Sequence, residues 1–558
     1  MTDPQNLVLF HYHLLRGGVR TALLRSLQCL SQQGWLAERR LVLSVGRLDG
    51  VRSFARTIKT WVSDVEVIVD ERLDYRDAPW PDEKAFRKDV TALRDTMLTW
   101  GGESALFWLH NPTLGKNPAV TAAWKEAAEK AWTEGLPHRF LYHIHDFPEC
   151  GRVENMVRLH RCWQDGGLTD FYPTSPNTAY AVLNTTDRQR LLSCGLSPQR
   201  VFWLPNVVIP SGEFSPVLTP ARKQAVASAL RRYAFEQDYV FDPGRPQWLL
   251  PVRLIRRKNV LEALFLAVIH PQKPQVLITL DATSAQEKPY AEAVKKCARA
   301  NRLPSVIGFG TELVGTAFSF EELMAWSDAV MTTSLMEGFG FAFLEGPLLG
   351  RPLIGRNLAD VTADFAKVGF PTEPLYDALP VPLDASHRSR LQTQGLRFAE
   401  GYRHMVPTLS KDDMDQFVSR LEVLYGQPTV DFGLLDWAAQ RDLLKMAVEG
   451  ALKENFQHVL TPVRVNEATL ASFFAQFGPT AHAHRLKTAF ERLWRQPGLN
   501  ASYHRGENEK AGQTEKHPKS DVKTHPFTTT DRCPDLGPCV ARLFFDPLYQ
   551  RPLFGGWR

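Results

Sequence analysis

The sequence predicts an α/β protein with two domains, each a parallel sheet covered by helices on both faces, followed by helical C-terminal additions. Three observations predict it. At 558 residues the chain is too long for one ordinary core, so two domains plus additions is the natural division. Short apolar runs alternate with helical patterns over about residues 7–208 and again over 247–355, the pattern of parallel strands joined by helical crossovers. Between the two stretches, 209–246 holds several prolines, a basic helix and no strand. The expected division is therefore 1–212, a linker at 213–246, a second domain over 247–425 with a possible crossover helix, a helical extension over 426–500 and a tail over 501–558, most of it disordered.

Composition narrows the class. A hydrophobic share of 44% is that of a globular protein. A net charge of +5 is mild for this length, and no basic run or basic-aromatic stripe stands out, so no nucleic-acid partner is expected. The balance leaves room for an anionic substrate or peripheral contact with a membrane. No run approaches the length of a membrane span, and the start, MTDPQNLVLFHYH, has no basic region followed by an apolar core. Seven cysteines scatter without metal-ligand spacing, which points to reduced thiols in the cytoplasm. The pair Cys533 and Cys539 is too isolated to make a zinc or redox site.

The first strand is expected over Leu7 to His13, followed by RGGVRTALLRSLQCL as a turn into a helix. Gly17 and Gly18 sit in that turn, where bare N–H groups can face a phosphate; a Gly-Gly turn is also an ordinary tight connection, and the third glycine of a dinucleotide fingerprint is missing. Strands follow at Arg40 to Val45, Val65 to Val69 and Ala105 to His110. The loop HNPTLGKNP after the last of these gathers His110, Asn111, Lys116 and Asn117, either as an acceptor-side site or as a plain Asn/Pro/Gly turn. In RFLYHIHDFPE a strand ends near His143, His145 and Asp146. Alternation puts the two histidines on one face, but a metal-hydrolase pattern is not met, and no metal is expected. Asn184 is a helix cap and Gly195 its stop, and VFWLPNVV leads out of the domain.

The second domain opens with QWLLPVRLIRRKNV. A strand ends at Val252, and Arg253 and Lys258 stand in the turn before a helix, where two cations can neutralise a diphosphate that gains charge on leaving. Arg256 and Arg257 lie between them, and all four can equally be solvated basic residues. A strand over Asp328 to Thr333 then leads into SLMEGFGFAFLEGPLLG. A helix starting near Phe339 separates Glu337 and Glu345 by about 12 Å of axis, the reach of a sugar nucleotide. One carboxylate would take hexose hydroxyls and the other ribose hydroxyls, with the helix start facing the diphosphate. Gly338 and Gly340 let the backbone approach a ligand, beside Phe339 and Phe341. Two solvated glutamates on an amphipathic helix give the same pattern.

Together these stretches, in this order over roughly Leu7 to Gly355, resemble retaining glycosyltransferases of the GT-B fold, family 4 (group 1). The resemblance implies two Rossmann-like domains facing a cleft. It implies that Gly17 and Gly18 lie beside the donor diphosphate, that His145 faces the donor sugar with Asp146 beside it, and that Pro205-Asn206 precedes the interdomain linker. Arg253 and Lys258 match the cations that grip the pyrophosphate, and Glu337 and Glu345 the two glutamates of the family motif. The implied activity is transfer of a hexose from a nucleotide diphosphate sugar to a hydroxyl acceptor with retained configuration, without metal or other cofactor. The leaving phosphate oxygen would accept the acceptor's proton, so Glu337 is a donor ligand and not the base. A disaccharide synthase or phosphorylase of the same fold, or a scaffold that binds a sugar nucleotide without catalysis, has the same outline. Beyond Pro352 the resemblance fades. MDQFVSRLEVLYG has the spacing of a helix crossing back to the first domain, and ARLFFDPLYQRPLFGGWR that of a docking or partner-binding segment.

Overall fold

Seven parallel strands make the sheet of the first unit in the computed structural model, which describes residues 3–15, 17–162, 171–209, 217–284, 286–452, 460–496, 536–546 and 549–550. The expected disordered stretch at 501–531, Cys533 and most of the aromatic end lie outside the described residues. In chain order unit 1 has β1 (Asn6–Phe10), α1 (Gly18–Gln32), β2 (Arg40–Val45), α2 (Val51–Ile58), β3 (Val65–Val69), α3 (Glu83–Thr99), β4 (Ala105–His110), α4 (Pro118–Thr133), β5 (His138–Ile144), α5 (Val153–Cys162), β6 (Thr178–Val182), α6 (Thr185–Ser193) and β7 (Val201–Trp203). The sheet order is β3-β2-β1-β4-β5-β6-β7. β4, β5 and β6 are buried along their whole length, as parallel strands with helices on both faces must be. Local signals act where they stand in the sequence. Asn184 accepts the Asp187 N–H at 2.7 Å to start α6, and Gly195 leaves that helix at φ +88°. The first strand is shorter than expected. It leaves the ladder after Phe10, so His11, Tyr12 and His13 stand in the loop beyond it.

Unit 2 begins with α7 (Pro220–Glu236), β8 (Gln247–Arg253), α8 (Val260–Ile269), β9 (Gln275–Leu280), α9 (Lys288–Ala300), β10 (Ser305–Ile307), α10 (Gly310–Leu313), α11 (Phe320–Trp326), β11 (Ala329–Thr332), α12 (Phe341–Leu348) and β12 (Leu353–Gly355). Its five-stranded parallel sheet runs β10-β9-β8-β11-β12. After α13 (Ala359–Ala366) come β13 (Pro380–Pro382), α14 (Ala385–Met405), α15 (Lys411–Gly426), β14 (Thr429–Asp431), α16 (Trp437–Val448) and α17 (Glu467–Phe477). Part of the stretch expected as a linker is a packed helix: α7 buries Val226, Leu230 and Ala234, and Arg222 Nη2 donates to Glu322 Oε2 of α11 at 2.7 Å. Each unit is thus a Rossmann-like α/β body, as the sequence predicts. Behind the second sheet, Arg356, fully buried, is held by Glu262 and Asp431 at 2.7 and 2.6 Å. The Tyr376 hydroxyl donates to the same glutamate at 2.7 Å, so the buried charges are paired as burial demands.

The described residues fall into Met1–Val207, Met405–Leu409 and Pro479–Leu543 for unit 1, and Val208–His404, Ser410–Gly478 and Phe544–Arg558 for unit 2. The helix anticipated in MDQFVSRLEVLYG is α15, and it stays in unit 2, because its buried Phe417, Leu421 and Tyr425 pack there; the Tyr425 hydroxyl donates to the Leu434 carbonyl at 2.8 Å. Two later helices, α18 (Pro479–Arg495) and α19 (Leu536–Leu543), belong to unit 1. Leu486, Phe490 and Leu493 of α18 join the core formed by Leu23, Leu27 and Leu30 of α1. His482 fixes the contact, with Nε2 2.8 Å from Ser26 Oγ and Nδ1 2.9 Å from the Pro205 carbonyl. No described helix is long and apolar enough to cross a membrane.

Candidate functional site

In open α/β sheets a ligand settles beyond the C-terminal strand ends where the strand order reverses. In unit 2 that point lies between β8 and β11, which pair through Trp248 with Ala329 and Leu249 with Val330. The loops that leave these two strands are stitched together. Thr333 Oγ1 donates to the Lys258 carbonyl at 3.0 Å, Leu335 N to the Arg257 carbonyl at 2.8 Å, and Arg257 Nη1 to the Met336 carbonyl at 3.0 Å. Glu337 is thereby brought onto Lys258 in a direct ion pair, with Arg257 Nη1 3.6 Å from its other oxygen. The Glu337 side chain is only 10% exposed. Burial pushes its pKa up, but Lys258 and then Arg257 outweigh that and hold it below the usual value. The group therefore offers an ionised carboxylate and two cations at one strand-order reversal. Arg253 closes β8 one residue beyond the expected strand end, whereas Arg256 is buried and spends itself on the Leu435 carbonyl at 2.7 Å.

The expected helix begins two residues later than Phe339. Gly340 is its left-handed start at φ +87°, and Glu337 stands in the loop before it, so the helical rise between the two glutamates does not apply. Gly340 is required there: a Cβ would lie 2.6 Å from Val361 Cγ1. Phe339 is buried against Phe365 and Phe477, with ring centroids 5.6 and 6.1 Å away. It anchors the loop to unit 2, with Phe341 edge-on to it at 4.9 Å. Gly338 and Glu345 are half-buried, the latter on the fifth residue of α12.

In unit 1 the strand order reverses between β1 and β4. Gly17 caps α1 with extended backbone and Gly18 starts the helix; both are exposed, and a Cβ on Gly18 would meet nothing. The residues beyond β4 and β5 are brought together. His110 pairs across the ladder with His143, and His110 Nδ1 lies 2.8 Å from His145 Nε2. Asn111, left-handed at φ +54°, accepts the backbone N–H groups of His145 and Asp146 at 2.7 and 3.2 Å, so it shapes this edge from a buried position. Asp146 pairs with Arg152 at 2.9 Å. Burial, with His13 and His145 nearby, pushes His11 down to about 3, and burial pushes His145 down to about 4. His110 and His143 are pushed well below the usual value by burial and neighbouring histidines. These rings are neutral near pH 7.

His110, His143 and His145 each offer a ring nitrogen within 4.8 Å of the others, which is a donor set suited to a transition metal. An ion there would have to displace the hydrogen bond between His110 and His145. Two features escape sequence reading. Arg257 is the second cation on Glu337, and nothing in the run of three basic residues tells which faces inward. His110 joins the histidine pair only through the register of β4 against β5.

No family model matches the chain. It is 28% identical over 453 residues to Mannosylglucosyl-3-phosphoglycerate synthase of Petrotoga mobilis, covering 81% of this chain and 82% of that protein. Among solved structures, a glycosyltransferase from Rickettsia africae overlays 88% of this chain and 100% of its own at 10% identity and a TM-score of 0.47. The catalytic domain of starch synthase IV from Arabidopsis thaliana, bound to ADP and acarbose, does so over 88% and 100% at 10% identity and 0.45.

Proposed function

We propose that this chain is a GT-B glycosyltransferase that moves a hexose from a nucleotide diphosphate sugar to a hydroxyl acceptor with retained configuration, in the manner of family 4. The observation that carries the proposal is the ion-paired group of Lys258, Arg257 and Glu337 at the strand-order reversal of unit 2. Transfer builds negative charge on the departing diphosphate, and preorganised cations in a partly dry site stabilise that charge more than they stabilise the bound donor. Lys258, Arg257 and Arg253 take this part. Glu337 is kept ionised by its two cations, so it is a weak base and no acid. It suits the hexose hydroxyls as a hydrogen-bond acceptor, while Glu345 takes the ribose. With no enzyme base assigned, the leaving phosphate oxygen receives the acceptor's proton on the face the new bond forms on.

His145, neutral near pH 7, is an uncharged hydrogen-bonding group of the kind that suits sugar hydroxyls, and Gly17 and Gly18 carry backbone N–H groups of the kind that suits a phosphate. The relative in Petrotoga mobilis is named for a product in which two sugars are joined to a phosphoglycerate, which supports a small, soluble acceptor. A cytoplasmic setting accords with the scattered cysteines. The test is release of nucleoside diphosphate from UDP-, GDP- and ADP-sugars, with and without small hydroxyl acceptors. Release from one donor, raised by one acceptor and unaffected by a chelator, is the expected result. Nucleotide binding without any release would leave a scaffold, and sugar 1-phosphate formation with added phosphate would point to a phosphorylase.

A further inference from the structure

Asn259 follows Lys258 directly and holds an uncommon state for a residue with a side chain: it is left-handed at φ +49° and wholly buried. It occupies the cap position of α8, where an asparagine ordinarily spends its side chain on the free N–H groups of the helix, yet no such bond forms. The amide goes inward instead. Its Nδ2 donates to Glu262 Oε2 at 2.7 Å, and its Oδ1 accepts from Gln440 Nε2 of α16 at 3.0 Å and from Arg256 Nη1 at 3.4 Å. Both main partners are themselves fixed. Glu262 is clamped by Arg356 Nε and Nη2 at 3.0 and 2.7 Å, and Gln440 Nε2 also donates to the Phe432 carbonyl at 2.9 Å.

The same framework reaches the loop that carries Glu337. Arg356 N donates to the Thr332 carbonyl at the end of β11, at 2.8 Å. A Cβ on Gly433 would lie 2.7 Å from Leu335 Cδ2, so the turn after β14 lies directly against that loop. Lys258 therefore stands between two anchored points: its own carbonyl is held by Thr333, and the next residue by Glu262 and Gln440. A left-handed turn at a non-glycine residue persists where its surroundings hold it. Here three side-chain bonds do so, and none of them caps the helix. A cation that must meet charge developing on a leaving oxygen gains from such support, since a displacement of about 1 Å can cost about a hundredfold in rate.

We propose, resting on the glycosyl-transfer reading above, that Asn259 is a positioning residue for transfer: with Glu262 and Gln440 it sets the turn that holds Lys258 for the donor's diphosphate. The C-terminal segment that carries Gln440 is thereby a working part of the donor site.

The test asks whether Asn259 acts through Lys258. Asn259→Gly keeps the left-handed turn accessible and removes the amide. It should lower kcat/KM for transfer by about tenfold, but by less than about twofold when Lys258 is already alanine, because nothing is then left to position. Gln440→Met keeps the volume and leaves the turn's own residues untouched, and its effect should vanish in the Lys258→Ala background in the same way. A fall of equal size in both backgrounds, as a merely structural residue gives, or no fall with Lys258 present, overturns the proposal. Calorimetric binding of UDP, GDP and ADP to the same variants needs no turnover. The nucleotide that binds most tightly should lose about threefold or more in affinity on Asn259→Gly, and only while Lys258 is present. That coupling in a protein that releases nothing from any donor would sustain the positioning role and overturn the transferase reading. Transfer without the coupling would do the reverse, and neither binding nor release would overturn both.

Discussion

Glu337 and Glu149 show how differently burial treats two carboxylates in one chain. Glu337 is buried with two cations and stays ionised. Glu149, in unit 1, is buried with no cation to offset its charge in the balance: burial pushes it up to about 7, against the opposing pull of a backbone N–H and of the Tyr172 hydroxyl, which donates to its two oxygens at 3.2 and 3.0 Å. A folded-state pKa above the unfolded one means that between about pH 4.5 and 7 the native state holds a proton the unfolded chain has lost. Stability therefore falls as pH rises through that window, by about 3 kcal/mol in all for this group. Glu149→Gln should remove the loss. In urea unfolding, the variant's stability relative to wild type should improve by about that much between pH 5 and pH 8. A difference that does not change with pH would mean that Glu149 is ionised in the fold. Nothing in the run HDFPEC marks this glutamate, since its burial comes from elements that meet only in three dimensions.

At the scale of elements, the turns into α1 and α12 look alike in the sequence, both glycine-rich and both after a strand, yet their glycines stand in different backbone states. Gly340 is left-handed and has no room for a Cβ, so Gly340→Ala should destabilise unit 2 by about 2 kcal/mol, counting the left-handed penalty and the overlap with Val361. Gly18 begins a helix in open space, so Gly18→Ala should leave the unfolding transition of unit 1 unchanged or slightly raised. Thermal unfolding of the two variants checks both. Most strands and their order of appearance were legible because buried parallel strands are short apolar runs, and the switch-point loops followed from them; β6 and β12 were not. Element ends were less so. β1 stops three residues before His13, and α12 starts at Phe341, because hydrogen bonding to neighbours sets those ends and the apolar pattern does not. The placement of α15 in unit 2 and of α18 on α1 was not legible either, because an amphipathic helix declares that it packs without declaring against what.

For the whole molecule, the neutral histidines are unevenly spread. His11, His138, His145 and His482, pushed down to between about 3 and 4, and His110 and His143, pushed lower than usual by burial, all belong to unit 1. Below about pH 6.5 the unfolded chain takes up protons that these buried rings refuse, so stability falls as pH falls, each group adding about 1.4 kcal/mol per pH unit until its folded pKa is reached. Glu149 has the opposite sign but is one group against six. In calorimetry the transition of unit 1 should move down between pH 6.5 and 4 further than that of unit 2; equal movement would contradict this. The claim that Lys258 and Glu337 of unit 2 act together in transfer is checked by transfer kinetics of Lys258→Ala and Glu337→Ala with the donor the wild type uses. Each should lower kcat/KM by about a hundredfold or more while the protein remains folded, and the double variant should lose much less than the product of the two, since the residues act as a pair. Near-wild-type turnover in either single variant would contradict the claim.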